Sequence, residues 1–420
     1  MSAHKDKFAE THDDILEAIA DALDIPPRQR EQAERSYTSL GEWLGRPESS
    51  LAKYEPNISP QGSIVLGTVT RPLTDAEEYD IDLVCLLNAT KADFTQKSLK
   101  QAVGREIALY VRAHNMAKPP EERRRCWTLH YADGAQFHMD TLPALPDTQR
   151  YQDMLRYYGY YALANDPALA GKAIAITDNT LPHYAIPSDD WPQSNPSGYA
   201  AWFRSRMIIQ LTERKKALAA LERIVASVEE IPDHRVKTPL QRANQLLKRH
   251  RDCMFADDAE HKPISIIITT LAGHAYNEEA SLTAALQSIL TEMDRYIEYR
   301  DDVAWVANPV NPTENFADKW AEEPKKRENF YRWLTQARQD FGMYLRASRF
   351  DEVPPSLNSR LGSALVARTL AAVVQPTRST LAAPAIVKSA SDASDALRRA
   401  EAAIAERQRS GAQSKPWAKS

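Results

Sequence analysis

Cysteine is scarce in this chain: Cys85, Cys126 and Cys253 are the only three in 420 residues. They are far apart and odd in number, which fits neither a disulfide framework nor a zinc site of closely spaced thiolates, and a reducing cytoplasm is the expected compartment. Long apolar runs are missing as well. The stretch around "ISIIITTLAG" falls well short of the ~20 residues that span a bilayer. The beginning, MSAHKDKFAE, is charged from the start, so neither export nor membrane anchoring is expected. Nor does one sign of charge dominate: 53 Lys and Arg stand against 57 Asp and Glu, a net charge of −4. Without an overall basic field, a protein held mainly by duplex phosphates is disfavoured, although a local basic groove is not excluded.

What is present is ordinary globular material. A hydrophobic fraction of 43% and a charged fraction of 26% suit two domains or one bilobal unit. "THDDILEAIADALDI" places Ile15, Ile19 and Leu23 on one helical face, and "PRQREQAERSYTSLGEWL" continues as a second helix. Strand candidates are "SIVLGTV", "YDIDLVCLL", "CWTLHYA" and "AQFHMDTLPAL", the last two joined by a hairpin signal at Asp133-Gly134. "KSLKQAVGREIALYVRAHN" reads as a helix between them. Residues 177–198, dense in Pro, Ser, Asn and Asp, mark a long loop and a first boundary. Beyond it the chain is mostly helical, with Thr238 as N-cap and Pro239 at the first helical position of "TPLQRANQLLKRHRDCMF". After Phe350 the composition turns to Ala, Ser and Pro, with one amphipathic helix near "ASDALRRAEAAIAERQ". The expected division is 1–192, a sheet-containing lobe with N-terminal helices; 193–349, a helical lobe; and 350–420, a partly disordered tail.

Asp80 and Asp82 interrupt an otherwise apolar strand. Alternate strand residues face one side, so the two carboxylates project together, with Cβ atoms roughly 6.5 to 7 Å apart. Uncompensated, they would repel and lose solvation, and a divalent cation between them resolves the conflict. The plainer alternative is a strand end whose acids meet solvent or cap a turn. Asp140, in "FHMD" on another strand, could bring a third carboxylate to the same place, and hard oxygen ligands of this kind suit Mg²⁺ or Mn²⁺. Gly62-Ser63 adds a small residue, which lets backbone N–H groups approach a phosphate, and a hydroxyl donor.

"QGSIVLGTVTRPL", "EEYDIDLVCLL" and a distant third Asp resemble the signature of DNA polymerase β-like nucleotidyltransferases. The fuller pattern is similar to the bacterial cGAS/DncV-like enzymes (CD-NTases) of CBASS anti-phage systems. "TPLQRANQLLKRHRD", "KPISIIITTLAGHAY" and "NPVNPTENFADKW" resemble the helical lobe this family shares with the oligoadenylate synthases. The resemblance spans roughly residues 35 to 345. It implies an α+β bilobal polymerase β-like fold, with a mixed-sheet catalytic lobe and a helical lobe. The implied reaction is template-independent: NTPs, ATP among them, are joined into a cyclic di- or trinucleotide or a short linear oligonucleotide, and pyrophosphate is released. Asp80, Asp82 and Asp140 would hold two Mg²⁺ ions, for which Mn²⁺ could substitute, and two cations so placed suit an in-line displacement. Asp140 is also the candidate general base. Gly62 and Ser63 would grip the triphosphate, joined by Lys248 and Ser265 on the resemblance.

Other residues have plainer readings. Arg249 and Arg251 are weaker phosphate candidates. β-branched residues around Ser265 favour a strand by propensity, so the helix expected there rests on the resemblance. Asn308, Asn311, Asn315 and Asp318 are read as a loop packing Trp320 into the core. Arg123, Arg124 and Arg125 are read as a solvated hairpin edge. The His/Cys zinc ribbon of animal DNA sensors is absent, which argues against activation by DNA. The end "GAQSKPWAKS" is either a substrate for CBASS accessory proteins acting on the C-terminus or a disordered terminus. Alternatives to a messenger synthase are an RNA-end nucleotidyltransferase of the tRNA or poly(A) type and an inactive nucleotide-binding module.

Overall fold

A computed structural model describes residues 11–74, 77–131, 137–222 and 233–374. The Asp133-Gly134 turn, the "ASDALRRAEAAIAERQ" helix and the terminal "GAQSKPWAKS" lie outside the described residues.

In the first part, α1 (His12–Leu23) and α2 (Pro27–Gly45) precede β1 (Asn57–Pro60), the short α3 (Gly62–Leu66), β2 (Tyr79–Leu86) and α4 (Gln96–Ala113). Then come β3 (Glu121–Glu122), β4 (Trp127–His130), β5 (Phe137–Pro146), α5 (Thr148–Tyr157), α6 (Tyr161–Ala164), α7 (Pro167–Ala170), β6 (Ile174–Ile176) and β7 (Gln193–Ser194). These strands form one mixed sheet in the order β1-β2-β5-β4-β3, with β6 paired to β5 and β7 to β6. β2 and β5 are parallel, and the chain between them includes α4. Ile81, Leu83 and Cys85 are fully buried in a core shared with Leu99, Val103 and Ile107 of α4. Alternation therefore turns Asp80 and Asp82 to the opposite face.

The second part is helical: α8 (Pro196–Ser205), α9 (Ile208–Glu222), α10 (Pro239–Met254), α11 (Ser265–Ala275), α12 (Leu282–Glu292), α13 (Lys319–Glu322) and α14 (Pro324–Leu345). Two small hairpins, β8–β9 (Glu298–Arg300, Val303–Trp305) and β10–β11 (Ala307–Asn308, Asn311–Asn315), interrupt it. Trp320 is buried in the helical core, as the loop reading expects. Thr238 caps α10 through a reciprocal capping box with Gln241, and Pro239 opens the helix. Around Ser265 the β-branched run is helical, not extended: packing of Ile267, Ile268 and Leu271 into the helical core overrides local propensity.

Three sequence expectations change. "SIVLGTV" is not a strand: Gly62 (φ +61°) and Gly67 (φ +67°) bracket the single turn α3, closed by Thr68 N donating to Ser63 O at 2.9 Å. α1 does not pack with the sheet; Ile15, Ile19 and Leu23 join the helical core. The chain after Phe350 continues as α15 (Pro355–Leu361) and α16 (Ser363–Val374), and Leu357, Leu361 and Val366 are buried in that same core.

Candidate active site

Register puts the acids together. Asp82 is paired with Asp140 across β2 and β5, and Asp80 with His138. On the next strand Thr128 is paired with Asp140. These side chains share one face of the sheet, on strands about 4.8 Å apart.

The Asp82 carboxyl is pushed up to about 6, first by burial and then by the charges of Asp80 and Asp140; His138 and Lys248 offset part of this. Asp80 is largely exposed, and its Oδ1 lies 3.0 Å from His138 Nε2. That contact leads the causes that raise the His138 pKa. Asp140 Oδ1 accepts from Thr128 Oγ1 at 2.5 Å. No group of three His, Cys, Asp or Glu among the described residues is arranged to hold a metal ion. The three acids meet in strand register, and the charges of Asp80 and Asp140 both act on Asp82. Their chemistry still fits a hard divalent cation: all are carboxylates, and the partly buried Asp82 has two like charges beside it.

Both lobes wall a cleft of about 630 Å³. Gly62, Ser63, Asp80 and Asp82 line it from the sheet side, and Lys248, Arg251, Lys262 and Ser265 from the helical side. That volume lies in the usual range for small-molecule sites. Asp140, one strand further on, is not part of this lining.

α10 carries the helical side. Lys248 is buried, and its Nζ donates to Thr68 O and Thr68 Oγ1, both at 3.1 Å. Burial, then the nearby Arg251 charge, pulls its pKa down to about 7, against the opposing pull of Asp252 and Asp82. Arg251 Nη1 donates to Ser265 Oγ at 2.6 Å, while Lys262 Nζ donates to Asp252 Oδ1 at 2.9 Å. Arg249 turns away from the phosphate role considered for it: its Nη2 donates to Arg71 O at 2.7 Å.

Arg249 belongs to a row that sequence reasoning missed. Gln241 donates to Leu66 O, Lys237 to Gly67 O, Lys248 to Thr68 O and Gln245 to Val69 O. One polar face of α10, with Lys237 just before it, therefore holds the carbonyls of the segment leaving α3. The signal was there in the i, i+4, i+7, i+8 spacing of Gln241, Gln245, Lys248 and Arg249, but such a polar stripe ordinarily faces water.

Residues 56–143 match the family model described as cyclic GMP-AMP synthase DncV-like, nucleotidyltransferase domain. That span holds α3, β2 and the first residues of β5. Residues 56–143 thus resemble a DncV-like nucleotidyltransferase domain. Around this domain the likeness extends over most of the chain. A c-di-GMP synthase of Roseivirga ehrenbergii is 26% identical over 342 residues, 81% of each chain. The cyclic dinucleotide synthase CdnG of Bradyrhizobium diazoefficiens is 24% identical over 431 aligned positions, 96% of each. The solved structure of that CD-NTase in complex with GTP superposes with a TM-score of 0.62 at 23% identity, covering 87% of this chain and 99% of the other. The bilobal polymerase β-like fold of the CD-NTases is thereby the fold of this chain. No helix among the described residues is long and apolar enough to cross a membrane.

Proposed function

We propose that this chain joins nucleoside triphosphates into a cyclic dinucleotide messenger without a template, releasing pyrophosphate at each step, in anti-phage signalling. GTP is the leading substrate: one relative is named a c-di-GMP synthase, and another was solved with GTP. The observation that carries the reading is the cleft, where Gly62, Ser63, Asp80 and Asp82 of one lobe face Lys248 and Ser265 of the other.

In the first transfer, a ribose hydroxyl of one nucleotide attacks the α-phosphorus of another. The new P–O bond forms as the bond to the bridging oxygen breaks, and pyrophosphate leaves. Ser63, Lys248 and Ser265 bind the donor's triphosphate. Burial holds the Lys248 pKa down to about 7, and contact with phosphate favours its charged form. Asp140, held by Thr128, accepts the proton of the attacking hydroxyl. Mg²⁺, with Mn²⁺ as substitute, would be held by Asp80, Asp82 and Asp140, and when bound it neutralises the charge that builds up on the transferring phosphoryl group. A second transfer within the linear product closes the ring. Accessory proteins acting on the C-terminal segment remain part of this reading, on the resemblance alone.

The test is incubation of the purified chain with labelled GTP and ATP, with Mg²⁺ and no polymer added, followed by mass spectrometry of the products. A cyclic dinucleotide that disappears in Asp82→Asn is the expected result. Product that appears only on extension of a supplied RNA, or an Asp82→Asn variant as active as the parent, would overturn it.

A further inference from the structure

The arginines at 124 and 125 lie on an exposed hairpin edge, as the sequence suggested, but they are tethered there. Arg123 N donates to Cys126 O at 3.0 Å, which makes Arg124-Arg125 the two-residue tip of the β3–β4 hairpin. The tip is pinned from several sides. Lys100 Nζ and Asn179 N both donate to Arg124 O, at 2.8 and 3.1 Å, and Thr177 Oγ1 donates to Arg125 O at 3.1 Å. The Asp178 side chain, only 1% exposed, takes Arg124 through Nε at 2.9 Å and Nη2 at 2.8 Å, and Arg125 through Nε at 3.0 Å. Both arginine side chains remain about half exposed, at 56% and 49%. Nη1 of Arg124 and both terminal nitrogens of Arg125 have no protein partner among the described residues. One buried carboxylate thus orients two cations and leaves donor groups facing outward, an arrangement suited to an anion with several oxygens.

The order of the sheet says which anion. Gly62 follows β1, Asp80 and Asp82 sit on β2, Asp140 on β5, and the Arg124-Arg125 tip leads into β4, so these groups follow one another across β1-β2-β5-β4. In-line displacement requires the attacking hydroxyl to approach opposite the leaving pyrophosphate. Pyrophosphate departs on the side of Gly62, Ser63 and Lys248, so the attacking nucleotide comes from the β5–β4 side. In the first transfer it still carries its own triphosphate, which cannot share the donor's cradle. We propose that Arg124 and Arg125 bind the 5′-triphosphate of this acceptor nucleotide, an inference that rests on the nucleotidyl-transfer reading above. Two acids from the helical lobe approach the same tip, and both are engaged. Glu314 Oε2 accepts from Asn308 Nδ2 at 2.7 Å, and Asp318 Oδ1 accepts from Lys319 N at 2.8 Å.

The test separates the two nucleotides. 2′,3′-Dideoxy-GTP serves as a donor with no attacking hydroxyl; α,β-methylene-GTP and guanosine serve as acceptors with and without a triphosphate. In Arg124→Ala and Arg125→Ala, kcat/KM for α,β-methylene-GTP should fall about tenfold or more. The KM for the dideoxy donor and the rate with guanosine should stay within about twofold of the parent, and Arg125→Lys should retain part of the preference for the triphosphate acceptor. Equal losses with both acceptors, as contacts to the base or a distorted hairpin would give, or no loss with either, would overturn this assignment alone. A parent enzyme that forms no product from either pair would overturn the functional reading together with it.

Discussion

Gly62 stands directly against Asp82: a methyl group on its Cα would lie 2.5 Å from Asp82 Oδ2. The same glycine has φ +61°, a conformation that side chains rarely adopt. Gly62→Ala should therefore displace the Asp82 carboxylate as well as strain the turn into α3. Displacing a reacting group by about 1 Å can cost on the order of 100-fold in rate. We expect a loss of that size in product formation by Gly62→Ala, with the thermal transition shifted by only a few degrees. An alanine variant with near-parental turnover would show that the contact does not position Asp82.

Lys248 makes a pH-dependent contribution of definite sign. Its pKa is pulled down to about 7 in the fold, by burial first and then by Arg251, against about 10.4 in an unfolded chain. Between pH 7 and 10 the unfolded state binds more protons at this position, so stability rises with pH there, by at most about 1.4 kcal/mol per pH unit. Urea unfolding from pH 7 to 9 should show this rise in the parent and a flatter profile in Lys248→Met. The same shift means that triphosphate binding at pH 8 should take up a proton. Calorimetry in buffers of different ionisation enthalpy should detect the uptake in the parent and lose it in Lys248→Met.

How much of this was legible follows from which forces are local. "YDIDLVCLL" and "FHMD" were readable because alternation is a property of the strand itself, and it fixed the face on which Asp80, Asp82 and Asp140 lie. The parallel pairing that sets Asp82 opposite Asp140 was not readable, because register depends on the crossover through α4. α3 was read as a strand because Ile64 and Val65 favour one locally. Only the φ values of Gly62 and Gly67, together with the clamp from α10, make a helical turn there. α10 itself misled in the opposite direction: its polar side chains look solvated in sequence, yet residues 239–251 are buried throughout. Gln241, Arg242, Gln245, Lys248 and Arg249 find partners among backbone carbonyls and N-terminal acids more than 150 residues away. The tether on Arg124 and Arg125 was missed for the same reason, since the carboxylate that holds them is Asp178.

Arg242 illustrates what that burial costs. Its guanidinium contacts Asp24 at 2.8 Å, Glu17 at 3.5 Å and Asp21, and so ties α1 to α10; Arg214 also reaches Glu17, at 3.0 Å. Burial pushes the Glu17 carboxyl up to about 6, even with Arg214 and Arg242 opposing it. Arg242→Met should destabilise the chain by about 3–5 kcal/mol at neutral pH, because it leaves buried charge uncompensated. Without that cation the Glu17 pKa should rise further. The deficit should then shrink as pH falls towards 5 and Glu17 takes up a proton in the folded state. Denaturant midpoints at pH 7.5 and pH 5 measure both effects, and a deficit that grows on acidification would contradict this account.

Gln245 offers the sharpest test of how the helical lobe holds the catalytic turn. Its Nε2 donates to Val69 O at 2.8 Å and to Asp24 Oδ1 at 2.6 Å, so one amide joins α10 to both the segment after α3 and the end of α1. Gln245→Leu keeps most of the volume and removes the donors, which leaves the Val69 carbonyl buried without this partner at a cost of about 1–3 kcal/mol. Because Gln241, Lys248 and Arg249 still hold the neighbouring carbonyls, the segment should loosen rather than detach. Hydrogen exchange should accelerate in residues 66–72 more than in β2 or α4. Nucleotide affinity should weaken severalfold while the Asp82-dependent chemistry persists. If exchange rose equally across the sheet, Gln245 would be supporting global stability, and the local tie between α10 and the catalytic turn would have to be given up.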